Sequence, residues 1–224
     1  MQEHGANIKG KAAVVSGSGN VALYCTERLN RLGARPVAAS DSDGPIHDPA
    51  GITEEKLAWL KDLKEVRRGR IQEYAEHFKG TEYLQGKRPW GVKADLAFPC
   101  ATQNELDGND ARQLIANGII AVAKGANMPC TLEAVHELIA ARKLFGSAKA
   151  ANAGGVGLEQ AQNSMRIAWN HEEVESRLAG IMKNIHGQCV QHGKQADGFV
   201  NYVNGANIAG FVKLACAMQA YGVM

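Results

Sequence analysis

Ala12-Ala13-Val14-Val15-Ser16-Gly17-Ser18-Gly19-Asn20-Val21-Ala22 is the stretch that decides the fold. A short apolar run passes straight into Gly-x-Gly-x-x-Ala, and a helical pattern follows. Gly17 permits a tight turn, Gly19 lets the main chain approach a pyrophosphate, and Ala22 leaves room for the helix to pack on its strand. The free N–H groups and positive dipole end of that helix would face the phosphates. Ser16, Gly17, Ser18, Gly19, Asn20 and Val21 are therefore the candidate cradle. Val21, Cys25, Leu29 and Leu32 are expected to share the buried face of the helix, with Gly33 as its stop. A second apolar run, Pro36 to Ala39, leads into Ser40-Asp41-Ser42-Asp43-Gly44. Asp41 stands where a dinucleotide-binding fold places the residue that reads the adenosine ribose.

The chain has 224 residues, enough for one large domain or a domain with a helical appendage, and 45% of them are apolar. A net charge of +2 gives no reason to expect nucleic acid or an acidic membrane surface as partner. No apolar run is long enough to span a bilayer, and Met1-Gln2-Glu3-His4-Gly5 does not read as a signal peptide. The cysteines Cys25, Cys100, Cys130, Cys189 and Cys216 are odd in number and lack Cys-x-x-Cys spacing, which fits reduced thiols in a cytoplasmic protein. His186, Cys189 and His192 lie three apart, but on a helix the first and last diverge too far to share one ion, so no metal is expected.

Outward from the glycine turn, strands and helices alternate. Thr53 caps a helix carrying Leu57, Leu60 and Leu63; Ala94 to Pro99 reads as a strand; Asp110 to Asn117 reads as a helix stopped by Gly118. Ile119 to Ala123 reads as a buried strand, Thr131 caps a helix through Val135, Leu138 and Ile139, and Leu144-Phe145 opens a last strand. This alternation predicts an α/β fold with a doubly wound, Rossmann-type parallel sheet over residues 1–155. Residues 156–224 read as C-terminal helices. Asn170 caps a stripe of Val174, Leu178, Ile181, Met182, Ile185 and Cys189, and a second stripe of Ile208, Phe211, Val212, Ala215 and Met218 ends at Gly222.

Ligands of open α/β sheets bind beyond the carboxyl ends of the strands. Here those ends carry Ala101-Thr102-Gln103-Asn104, Gly125-Ala126-Asn127 and Ala151-Asn152-Ala153-Gly154-Gly155. Asparagine amides offer donor and acceptor together and suit a carboxamide such as that of nicotinamide. Lys64, Arg67, Arg68 and Arg70 follow the second strand and, with Ser42, match a 2′-phosphate, whereas Asp41 favours the unphosphorylated ribose. On these residues alone both NAD and NADP remain open.

Ser16 to Ala22, Ser40 to Gly44, Arg88-Pro89-Trp90, Pro99 to Leu106, Gly125 to Pro129, Lys149 to Val156 and Asn201 to Lys213 occur in this order. Together, from Lys9 to Met224, they closely resemble the C-terminal, cofactor-binding half of the NADP-type hexameric glutamate dehydrogenases. The resemblance implies NADP in preference to NAD, with Ser42, Lys64 and Arg67 around the 2′-phosphate. It implies that Thr102, Gln103, Asn127 and Asn152 line the nicotinamide and its ribose. The implied reaction is reversible oxidative deamination of L-glutamate to 2-oxoglutarate and ammonia, in a homo-oligomer. In the family the catalytic lysine, the acid/base residue and the lysines that grip substrate lie in an N-terminal domain, to which nothing in this sequence corresponds. No catalytic residue is therefore assigned, and substrate is expected only with a substrate domain. Two local departures stand out. Val156 runs straight into Gly157-Leu158-Glu159, where the family has a few more residues including a substrate-contacting serine, and Lys124 replaces a common glutamate. Other readings are a dehydrogenase for a branched-chain or aromatic amino acid, and a nonenzymatic nucleotide-binding or interaction module.

Overall fold

Ala12–Val15 forms β1, and the chain turns at Ser16–Gly19 into α1, Asn20–Arg31. β2 spans Arg35–Asp41, β3 Gly44–His47, β4 Glu82–Tyr83, β5 Leu96–Phe98, β6 Ala121–Ala123 and β7 Leu144–Gly146. These observations come from a computed structural model that describes residues 7–222, so Met1–Gly5 and most of the expected lead-in lie outside the described residues. The seven strands order as β4-β3-β2-β1-β5-β6-β7. β1 pairs in parallel with both β2 and β5, and β5 with β6, as the alternating pattern predicts. The chain thus winds one way from β1 to β2 and the other way to β5, leaving a crevice at the carboxyl end of β1.

The outer strands β3 and β4 run antiparallel and were not legible in the sequence. Asp41 pairs with Gly44 across Ser42 and Asp43, so the polar run is the tip of a hairpin. Pro45 lies inside β3, where a residue without an N–H argues against a strand.

The buried face of α1 also differs from the expected one. Ala22, Leu23, Thr26 and Leu29 are buried, while Val21 and Leu32 are 48% and 45% exposed. Choosing the largest apolar side chains misplaced the stripe by about one position; Ala22 and Thr26, whose hydroxyl donates to the Ala22 carbonyl (2.8 Å), lie against the sheet instead. Gly33, at φ +76°, ends the helix as expected.

Thr53 caps α2, Glu54–Lys61, which passes into a single π turn, Asp62–Val66. After α3, Gln72–His77, the helices flanking the later strands are α4, Gly108–Ala116, and α5, Leu132–Ala140. Leu23, Ile46, Ile52, Leu57, Leu60 and Tyr74 belong to one core cluster; Ala13, Val15, Ala22, Leu29 and Leu96 belong to another.

The chain divides into two compact units, one ending at Leu144 and one beginning at Phe145. The second holds α6, Ala148–Ala151, α7, Ala153–Met165, α8, His171–Gly193, and α9, Tyr202–Ala220. Asn170 and Glu173 form a reciprocal capping box at the start of α8. The α8 stripe is partly buried, with Cys189 fully so. α9 meets α8 through small residues: a Cβ on Gly205 would collide with the Cys189 main chain. Its large apolar side chains point outward, with Phe211 69% and Leu214 59% exposed. No helix among the described residues is long and apolar enough to cross a membrane.

Candidate nucleotide-binding crevice

The crevice is built on Gly17. Its φ of +85° is open to glycine, and a Cβ there would come within 3.2 Å of the Ala101 main chain. Its N–H donates to the Ser40 hydroxyl (2.8 Å), and the Ser40 N–H returns to the Gly17 carbonyl (3.1 Å). The turn is therefore fastened to the end of β2. Gly19 caps α1 with no side-chain acceptor, nothing lies within 4 Å of where its Cβ would be, and the first helical turn carries no acid. The helix N–H groups thus face open space with their partial positive charge unopposed, which is what a pyrophosphate requires.

Ser16 is fully buried. Its hydroxyl accepts from the Cys100 N–H (2.8 Å) and donates to Glu105. Glu105 also accepts from the N–H groups of Ala101 (2.9 Å) and Thr102. One carboxylate therefore ties the glycine turn to the loop after β5. Burial raises the Glu105 carboxyl above its ordinary value, against the opposing pull of these hydrogen bonds. The same loop is joined to the one after β6: Pro99 accepts from Gly125 and Ala126 (both 2.9 Å), and Asn104, at φ +54°, donates to the Met128 carbonyl (2.9 Å).

At the end of β2, Asp41 is nearly buried and accepts from the N–H groups of Asp43 (3.0 Å) and Ile71 (3.1 Å). Arg70 reaches this hairpin tip: its guanidinium lies 3.4 Å from Asp41, donates to the Ser42 hydroxyl (2.9 Å) and pairs with Asp43. The Asp43 hydrogen bond is the main cause that raises the Arg70 pKa. Lys64 and Arg67 are engaged elsewhere. Lys64 donates to the Gly69 carbonyl (2.7 Å), and Arg67 donates to Asp62 (2.7 Å) and lies over the Trp59 ring (4.5 Å).

A cleft of about 480 Å³ brings together Gly17, Asp41, Ser42, Thr102 and Gln103 from the expected set, and adds Ser40, Lys87 and Glu105. Thr102 and Gln103 thus share one cleft with Asp41 and Ser42 of the β2–β3 hairpin. Asn127 is exposed on the segment hung from Pro99, and Asn152, also exposed, belongs to the second unit. Ser16, Ser18, Gly19, Asn20, Val21, Lys64, Arg67, Asn127 and Asn152 do not line this cleft. Sequence reading missed the roles of Ser40 and Glu105 although both lie in motifs it quoted, because their task is to hold main chain. Lys87 carried no signal at all.

The family model described as Glutamate/Leucine/Phenylalanine/Valine dehydrogenase matches residues 1–222. The glutamate dehydrogenase of Bacteroides thetaiotaomicron is 56% identical over 227 aligned positions, covering 100% of this chain and 51% of that relative. The NAD(P)-specific glutamate dehydrogenase of Xylanibacter ruminicola is 52% identical, covering 100% and 51%. The crystal structure of Plasmodium falciparum glutamate dehydrogenase superposes with a TM-score of 0.92 at 42% identity, covering 100% of this chain and 49% of that one. Further relatives bear names that specify NADP or, in one case, NAD. The chain spans about half the length of the curated relatives it matches. Matched along nearly its whole length, with the glycine turn at the sheet's switch point, this chain belongs to the glutamate/leucine/phenylalanine/valine dehydrogenase family.

Proposed function

We propose that this chain is the NADP(H)-binding part of a glutamate dehydrogenase, acting in reversible oxidative deamination of L-glutamate to 2-oxoglutarate and ammonia. The observation that carries the reading is the uncapped, acid-free start of α1, two residues beyond Gly17, while Gly17 itself lines one cleft with the Ser42 hairpin tip that Arg70 reaches. Helix N–H groups would hold the pyrophosphate, and Arg70 with Ser42 would hold the 2′-phosphate. Thr102 and Gln103 offer polar groups in the same cleft; the assignment of Asn127 and Asn152 to the nicotinamide and its ribose rests on the resemblance. When bound, the nicotinamide supplies hydride transfer; the chain's own part is to orient it and exclude alternatives.

Glutamate turnover further requires the substrate-gripping and acid/base residues that the resemblance places in an N-terminal domain. The exposed Phe211 and Leu214 support association with further polypeptide, as in the homo-oligomer the resemblance implies. Five free thiols support a reducing, cytoplasmic setting. The test is fluorescence titration of the purified chain with NADPH beside a glutamate-dependent reduction assay with NADP. Saturable binding without turnover is the expected result. A folded chain that leaves NADPH fluorescence unchanged refutes the binding role, and turnover without any added partner refutes the need for a substrate domain.

A further inference from the structure

The hairpin tip carries two aspartates with different environments. Asp41 is nearly buried, and its oxygens are taken up by the Asp43 and Ile71 N–H groups, so it shapes the turn. Asp43 is 58% exposed at its side chain and follows Ser42, which lines the cleft. Its carboxylate accepts from the Ser42 hydroxyl (3.4 Å) and pairs with the Arg70 guanidinium. These are the two donors that the nucleotide reading assigns to a 2′-phosphate. The carboxylate is also held in place from behind, since the Asp43 N–H donates to Asp41 and the Asp43 carbonyl accepts from Gly86 (2.7 Å). Lys87, lining the same cleft, has no carboxylate within ion-pair distance among the described residues.

We propose that Asp43 is a specificity-determining residue at the hairpin tip: its carboxylate occupies the Arg70–Ser42 site as an internal anion and narrows the preference for NADP over NAD. A 2′-phosphate carries nearly two negative charges and must displace Asp43 from Arg70 while remaining a few ångströms from it. An unphosphorylated ribose meets neither obstacle and hydrogen-bonds to carboxylates readily. Asp43 therefore acts against one cofactor and leaves the other alone, which is discrimination by an added repulsive element. The inference rests on the nucleotide-binding reading above and concerns only the choice between the two nucleotides.

The experiment is titration of the full chain and its Asp43→Asn variant with NADPH and with NADH at low and high ionic strength. Adenosine 2′,5′-bisphosphate and AMP serve as competitors that isolate the adenosine end. Because Asp43 is exposed and makes its main-chain bonds in either form, the variant is expected to fold as the parent does. Removing the charge should tighten NADPH and the bisphosphate by roughly fivefold to tenfold at low salt. NADH and AMP should change by less than about twofold, and the gain should shrink as salt screens it. An unchanged NADPH-to-NADH ratio, or equal tightening of both, overturns the role of Asp43 while leaving nucleotide binding intact. Failure of both folded proteins to bind either nucleotide overturns the nucleotide reading itself, and this inference with it.

Discussion

Gly17 answers two demands, a positive φ and the approach of the Ala101 main chain to 3.2 Å of where a Cβ would stand. Gly17→Ala is therefore expected to cost at least about 1–2 kcal/mol for the left-handed backbone, read as a lower urea midpoint, and to weaken NADPH binding as the turn shifts. Glu105 offers a second test. Burial holds its folded-state pKa above 4.5, so the ionised form is the disfavoured one in the folded chain. The folded state then binds more protons than the unfolded state between those two values. The stability associated with Glu105 is fully present below the unfolded value and is lost as pH rises through the raised one. Urea midpoints of the parent and Glu105→Gln, compared from acid to neutral pH, should show the parent losing ground to the variant as pH increases. Parallel pH profiles would remove Glu105 as the titrating group. The strand–turn–helix geometry of Ser16 to Val21 was legible because glycine spacing reports directly on backbone geometry. Ser40 and Glu105 were not, because side chains that hold main chain across long sequence separations leave no local pattern.

Strands and helices with ordinary capping were read from sequence with small errors at their ends. Thr53, Thr131 and Asn170 each cap the helix expected of them. The β3–β4 extension escaped because Pro45 and a two-residue strand defeat periodicity. The α1 stripe was misplaced because Ala22 and Thr26, which lie against the sheet, carry little hydrophobic signal beside the exposed Val21 and Leu32. α9 shows the same effect more strongly. Its contact with α8 is made where Gly205 leaves no room above the Cys189 main chain, while Ile208, Phe211, Val212 and Met218 of the apolar stripe stay exposed. Gly205→Ala is expected to destabilise the α8–α9 pair by about 1–3 kcal/mol through overpacking, visible as a lower thermal midpoint of helical circular dichroism. An unchanged midpoint would mean that the two helices part easily.

The sheet-bearing unit ends at Leu144, while the composition changes to helices alone only beyond Gly155. Residues 145–155 belong by contact to the helical unit although their Asn-Gly-rich pattern resembles the earlier strand ends. Periodicity locates elements, but assignment to a compact unit depends on contacts that periodicity does not report. Phe211 and Leu214 on α9 are exposed apolar side chains, from which association in solution is expected. Replacing both with glutamate should lower concentration-dependent association in sedimentation velocity and leave NADPH binding unaltered. Association that persists unchanged would place the contact on another surface.

The loops after β5 and β6 are joined to each other by main-chain bonds at Pro99, Asn104, Gly125 and Ala126. Main-chain stitching is indifferent to the side chains it displays. Thr102, Gln103 and Asn127 can therefore be exchanged at little cost in folding, and the rim can acquire new chemistry while its frame stays fixed. Evolution, or an engineer, can vary what this edge recognises without first repairing the scaffold beneath it.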